Sequence, residues 1–415
     1  MGSRRQRKQL CVRTLGTRKL SLLLLAAIFY FIMYHLPPPP KTKNNTNSDR
    51  KPPKYDIDTT PRFLHLSPFR ENPDTEYERQ VSKALSEIQS ETLRKNNGDI
   101  FAEEKIWQIA LGRNVKRESD SFKFEQKNGD WEYSLIDDIK AYKFITDIFS
   151  SVPELKKLYN SYPYHVIRSD LIRYLLLWYY GGFYADMDVY PAQSIKSCPA
   201  LEPLWDSDTK SRNISLVIGI EIDEPHASPR LMHEWRWTRR YQFIQYTIYA
   251  PRRFSPILLE VIVRALSHTR QHIMQSNFII GPQYKENTIL EITGPGVFTD
   301  TVLDIMSQTL PPTHNMIELS IDADTGVGDL ISPSTGITQR RVTWAPFTKI
   351  SEPVCVDDSE AIKGKSMGGI CILPISVWGN GQRHSGSESF SSRQACINHR
   401  FGRTWRKGWM EYFFG

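Results

Sequence analysis

Apolar and polar positions divide the chain into blocks of different period. Leu20 to Leu36 is apolar apart from Ser21 and a boundary His35. At 1.5 Å per residue these positions make about 25 Å of helix, the short end of a membrane span. A polar, proline-containing stretch follows. Glu76 to Lys95 then places Val81, Leu85 and Ile88 on one helical stripe, free either to pack on the body or to self-associate. Lys105 to Ile109 and Trp131 to Ile136 read as strands. Asp138 to Phe149 reads as a helix with Ile139, Tyr142, Ile145 and Phe149 inward, and Pro153 to Tyr159 as a short helical segment. Ser215 to Ile220 has strand character, while Phe243 to Tyr249 and Ser255 to Leu266 read as helical. Thr293-Gly294-Pro295-Gly296 turns into a helix through Met306, and loops with short strands fill 311 to 395. Strands alternating with helices predict an α/β domain.

One stretch, Ser169 to Asp188, departs from this routine. Asp170 and Arg173 sit three apart on an otherwise apolar helix, so they share one face. Gly181-Gly182 permits the left-handed backbone that ends a helix. Phe183-Tyr184-Ala185 reads as a buried strand, and Asp186 and Asp188 follow at i and i+2, directed to one face by strand alternation. Four charges at the end of a buried strand are costly without a partner, which marks a functional site. Two carboxylates facing one way call for a cation, and hard oxygen ligands favour Mn or Mg. Such a cation can offset the charge of a departing diphosphate.

Charge sharpens the picture. The chain of 415 residues carries a formal charge of +7, but Arg4, Arg5, Arg7, Lys8, Arg13, Arg18 and Lys19 precede the first acidic residue. The remainder is balanced, which excludes a nucleic-acid partner. Basic residues before the apolar run and Pro37 to Pro40 after it predict a retained signal anchor with a cytosolic N-terminus. The expected organisation is a cytosolic tail (1–19), a transmembrane anchor (20–36), a lumenal stem (37–99) and a globular body (100–415). Asn44-Asn45-Thr46 and Asn213-Ile214-Ser215 are glycosylation sequons. Cys198, Cys355, Cys371 and Cys396 fit no zinc spacing. In an oxidising compartment they predict at least one disulfide among three connectivities, with Cys355–Cys371 and Cys371–Cys396 the local candidates.

The motif SDLIRYLLLWYYGGFYADMDVYP resembles the sugar-donor region of glycosyltransferase family 32, and within it the fungal initiation-specific alpha-1,6-mannosyltransferases. KIWQ at 105–108, VWGNGQRHSGSESF at 377–390 and ACINHRFGRTW at 395–405 extend the likeness over roughly residues 100 to 405. The resemblance implies a GT-A fold in a single nucleotide-sugar-binding domain, with Mn-dependent use of GDP-mannose. It also implies retention of the alpha configuration, an N-glycan acceptor and a type II Golgi membrane protein working beside other mannosyltransferases. By position it implies that Asp170 and Arg173 bind the donor sugar, that Asp186 and Asp188 serve the metal and the catalysis, and that His399 completes the metal site. Thr404 and Trp405 would close over the donor, and Trp107 would stack on the base. The expected mechanism is same-face attack, since no nucleophile is identifiable. Competing expectations are transfer to a mannan chain or an inositolphosphoceramide, or a non-catalytic scaffold subunit of a mannan-synthesising complex.

Overall fold

A computed structural model describes residues 67–400, apart from 113–114, 116, 206–212, 278, 324–328 and 332–337. The chain divides into residues 1–55 and 56–415, and every described residue falls in the second unit. Among the described residues no helix is long and apolar enough to cross a membrane. The expected anchor at 20–36, the sequon at 44–46 and the segment from 401 onward lie outside them.

In chain order the elements are α1 (Thr75–Lys95), β1 (Lys105–Ile109), α2 (Ser119–Lys127), β2 (Glu132–Ile136), α3 (Asp138–Ile148), α4 (Pro153–Ser161), α5 (His165–Tyr179), β3 (Gly182–Ala185), β4 (Val189–Pro191) and β5 (Leu216–Asp223). There follow α6 (Pro229–Trp235), β6 (Tyr241–Phe243), β7 (Thr247–Ala250), α7 (Pro256–Gln275), α8 (Glu286–Ile292), α9 (Pro295–Thr309) and α10 (Asn315–Ala323). The described chain ends with β8 (Asp329–Ile331), β9 (Thr338–Arg340), β10 (Val354–Val356), β11 (Ile370–Leu373), α11 (Ile375–Trp378) and β12 (Ile397–His399). The main sheet runs β10-β11-β5-β7-β3-β1-β2, with β6 added to β5. β3 is parallel to β1 and antiparallel to β7, and β5 is antiparallel to β7. The carboxyl ends of β3 and β5 therefore lie on the same edge. This mixed α/β architecture matches the fold class expected from the sequence.

The centre of the molecule is α5. From Leu171 to Trp178 every side chain is buried, so the helix is enclosed by the core on all sides, with Arg173 the one charged side chain in that stretch. Gly181 and Gly182 then adopt φ of 69° and 92°, a region that disfavours any side chain. Space also demands glycine here: a Cβ at Gly181 would lie 2.8 Å from the Ala250 carbonyl oxygen, and one at Gly182 2.6 Å from that of Lys105. The close approach lets β3 enter directly between β1 and β7.

The structure bears on four expectations. α1 buries Tyr77, Val81, Leu85, Ile88 and Thr92 and packs on α7, with Phe69 stacked on His268. The compact body thus reaches back beyond the boundary expected at residue 100. In α3 the inward residues are Ala141, Phe144 and Ile145, whereas Ile139 and Tyr142 are exposed; β2 and α4 lie against a face rotated from the one anticipated. Phe243 to Tyr249 spans β6 and β7 rather than a helix, because its β-branched and aromatic residues gain more from pairing with β5 and β3. Finally, the expected disulfide forms at the local candidate Cys355–Cys371, and a second, Cys198–Cys396, takes the place of Cys371–Cys396. Cys355 and Cys371 are direct cross-strand partners, whereas Cys396 reaches 198 positions back in sequence instead of pairing locally.

Candidate active site

The site forms at the carboxyl edge of β3. The chain leaves Ala185 and turns through Asp186 to Asp188 before β4, so a tight turn, and not strand alternation, brings the two carboxylates together. Asp186 is tied at both ends of its backbone: its N–H donates to the Tyr246 carbonyl at 2.9 Å, and its carbonyl accepts from Gln108 at 3.0 Å. β12 pairs antiparallel with β4, setting His399 opposite Val189. His399 Nε2 is consequently 3.1 Å from Asp188 Oδ1, and its ring stacks on Tyr246 at 4.1 Å between centroids. Asp186, Asp188 and His399 each offer a ligand atom within 4.8 Å of the others, and all three are partly exposed. Two carboxylates and an imidazole nitrogen fit a divalent cation of the Mn or Mg type.

Behind this cluster lies the buried pair. Arg173 Nη2 is 2.8 Å from Asp170 Oδ1 and 3.5 Å from Asp186 Oδ1, so the guanidinium links the helix carboxylate to the turn carboxylate. Asp170 Oδ2 accepts from the Thr293 hydroxyl at 2.9 Å. The Thr293 carbonyl accepts from Tyr174 and from Gln245, each at 2.8 Å, and the Gln245 carbonyl accepts from Arg173 at 2.9 Å. Tyr184 donates to Asp186. Burial pushes the Asp170 carboxyl up to about 7, outweighing the opposing pull of Arg173 and Thr293. Burial likewise raises Asp186 against the pull of Arg173. For Arg173 burial acts against its charge, but Asp186, Tyr184 and Asp170 more than compensate and hold its pKa above the usual guanidinium range.

Sequence reasoning placed Asp170, Arg173, Asp186, Asp188 and His399, and the structure brings these together. It does not bring Trp107 to them. That ring is buried, its indole N–H donates to the Gly181 carbonyl at 2.8 Å, and it lines a cavity of about 790 Å³ with Lys105, Phe144 and Tyr180 toward the amino ends of β1 and β3. Thr404 and Trp405 lie outside the described residues. Missed were Tyr184, Gln245, Tyr246, Thr293 and Glu221. Glu221 is held by Gln242 at 2.7 Å and raised by burial, close enough to feel His399 and Asp186. An acid set inside the apolar run LVIGIEID was the available signal for it. The others look like ordinary strand and turn residues.

A family model described as the glycosyltransferase sugar-binding region containing a DXD motif matches residues 115–205, which include Asp170, Arg173, Asp186 and Asp188. More particular relatives bear out the resemblance read from the sequence. The initiation-specific alpha-1,6-mannosyltransferase of Saccharomyces cerevisiae is 25% identical, covering 73% of this chain and 78% of its own length. That of Candida albicans is 26% identical over 68% of this chain, which spans 65% of it. Inositol phosphoceramide mannosyltransferase 3 of Schizosaccharomyces pombe is 31% identical over a shorter match, 32% of this chain and 36% of that protein. Among solved structures, the PaToxG glycosyltransferase aligns with a TM-score of 0.33 at 18% identity, covering 60% of this chain and 84% of that one.

Proposed function

We propose that this chain is a retaining mannosyltransferase of GT-A type that moves mannose from GDP-mannose to an N-glycan, forming an alpha-1,6 linkage. The observation that carries the reading is the convergence of Asp186, Asp188 and His399 within 4.8 Å, in front of the buried Asp170–Arg173 pair. Asp186, Asp188 and His399 would hold Mn or Mg, which would offset the charge of the departing diphosphate. Arg173 sits where a guanidinium can both orient Asp186 and donate to a donor hydroxyl or phosphate oxygen. Asp170 commits both oxygens to Arg173 and Thr293. Its part is therefore to fix Arg173 more than to reach the sugar itself. Transfer proceeds by same-face attack, with the leaving diphosphate taking the proton of the acceptor hydroxyl. In this reading the anchor at 20–36 holds the enzyme as a type II Golgi membrane protein, with the body lumenal and beside other mannosyltransferases. Two disulfides among the described cysteines suit that oxidising compartment.

The test is hydrolysis and transfer by the full chain across a panel of nucleotide sugars, with Mn or Mg, and with N-glycan, mannan and inositolphosphoceramide acceptors. GDP-mannose with the N-glycan should be the most active pair. Preference for another donor would sink the donor assignment. Equal or better transfer to mannan or the lipid would move the acceptor. Absence of all turnover would favour a scaffold subunit.

A further inference from the structure

We propose that Trp235, Trp237 and His384 form an aromatic platform for mannosyl residues of the acceptor at the mouth of the site. The inference rests on the mannosyltransferase reading and adds the acceptor side to it.

Local backbone builds the platform. α6 ends at Trp235, and Arg236 adopts left-handed geometry with φ of 58°, a conformation that costs a non-glycine residue about 1 kcal/mol or more. The Arg236 N–H returns to the His233 carbonyl at 3.2 Å and the Trp237 N–H to that of Met232 at 2.9 Å, closing the helix and reversing the chain. Two tryptophans that flank one residue thereby stack, with ring centroids 5.8 Å apart and 22° between planes. The His384 ring meets both edge-on, at 5.1 Å from Trp235 and 4.7 Å from Trp237. His384 is fixed in turn by its neighbour: the Ser385 hydroxyl oxygen accepts from the Asp223 N–H at 2.8 Å and lies 2.8 Å from His384 Nδ1, and the Ser385 N–H donates to Glu224 at 2.6 Å. All three rings remain partly exposed. Partly exposed, pre-ordered aromatic rings are the kind of group that binding surfaces use. They present the flat apolar surface on which the C–H faces of a pyranose stack, with polar groups at the ring edges for its hydroxyls.

Position supplies the second part. Asp223 and Glu224 stand at the carboxyl end of β5, on the edge that also carries Asp186. Contacts run from the platform toward the site: Trp237 adjoins Thr238, whose hydroxyl is 3.2 Å from Gln242 Oε1, and Gln242 holds Glu221, which feels His399 and Asp186. The surroundings offer hydrogen-bonding partners for an oligosaccharide, including exposed Arg236, Arg383 and Glu234. A donor nucleotide needs the carboxylate cluster, whereas a ring platform set beside it suits a second, uncharged sugar.

The experiment compares the full chain with Trp235→Ala/Trp237→Ala and with Trp235→Phe/Trp237→Phe, using an alpha-mannosyl oligosaccharide as acceptor and a glucosyl oligosaccharide as control. The expected result is a KM for the mannosyl acceptor raised about tenfold or more by the alanines and largely restored by the phenylalanines, since a flat ring is what stacking requires. GDP-mannose hydrolysis, in which water replaces the acceptor, reads the donor side separately and should change far less than the acceptor KM. An unchanged acceptor KM overturns the platform while leaving the mannosyltransferase reading intact. If the alanine pair does not fold, or the wild type shows no turnover, fluorescence decides. Titration with the mannosyl probe should quench wild-type emission more than that of Trp237→Phe, and equal responses overturn the proposal. Absence of GDP-mannose turnover in the wild type counts against the donor assignment instead.

Discussion

The two faces of the proposed site are built on opposite principles. The donor side is a closed network: Asp170, Arg173, Thr293, Gln245 and Tyr174 lie inside the protein, and most of their polar atoms are spent on one another. The platform of Trp235, Trp237 and His384 is held by a helix cap and one serine, and its three rings stay partly exposed. Buried charge tolerates little displacement, because an unpaired member costs several kcal/mol. Half-exposed aromatics tolerate exchange at modest cost. The donor side should therefore be rigid and demanding, and the acceptor side adaptable, which is where related enzymes with different acceptors would be expected to diverge.

The largest expected effect breaks the donor side outright. Asp188→Ala should reduce GDP-mannose hydrolysis by about a thousandfold and abolish tight Mn binding followed by electron paramagnetic resonance. Retention of both would remove Asp188 from the metal site. Next comes Arg173→Ala, which leaves Asp170 buried without its partner and should destabilise the fold by about 3–5 kcal/mol, read by denaturant unfolding. A loss below about 1 kcal/mol, the usual worth of an exposed pair, would mean that water reaches Asp170. Third, Cys198→Ser/Cys396→Ser removes the bridge three residues before His399. Removing a native disulfide costs about 2–5 kcal/mol, and Mn affinity should fall as well, because β12 then loses its covalent tie and His399 keeps only strand pairing and the Tyr246 stack. Unchanged affinity with lowered stability would separate the bridge from the site.

The shallowest effect is in pH dependence, a slope of at most about 1.4 kcal/mol per pH unit. Burial raises Asp170 from its ordinary value to about 7 in the folded protein, so the native state binds the proton more tightly than the unfolded chain does. The stability from that proton is fully present below about pH 4 and is lost as pH rises through about 7. Unfolding measured without metal should show this slope, no steeper than one proton, and Asp170→Asn should remove it. An unchanged slope in Asp170→Asn would assign it to another group.

Much of this was legible in sequence, for a local reason. The stretch from Ser169 to Asp188 carries its helix, stop, strand and carboxylates in consecutive residues, so periodicity and glycine placement announce them without knowledge of the rest of the chain. The second half of the candidate metal cluster was found only by resemblance, since a histidine 211 positions after Asp188 has no local pattern to mark it. Where local signals were ambiguous the reading failed. Phe243 to Tyr249 has residues that serve helix or strand, and the vacancy between β3 and β5 decided for strands. Ile139 and Tyr142 sit at plausible helical spacing, yet the neighbours of α3 cover a different face. Tertiary structure alone selected Cys198 as the partner of Cys396 and turned Trp107 away from the carboxylates. It alone set Thr293 and Gln245 behind Asp170 and stacked two tryptophans across a left-handed residue. Each of these depends on elements distant in sequence or on one backbone angle, and neither leaves a periodic trace in the order of residues.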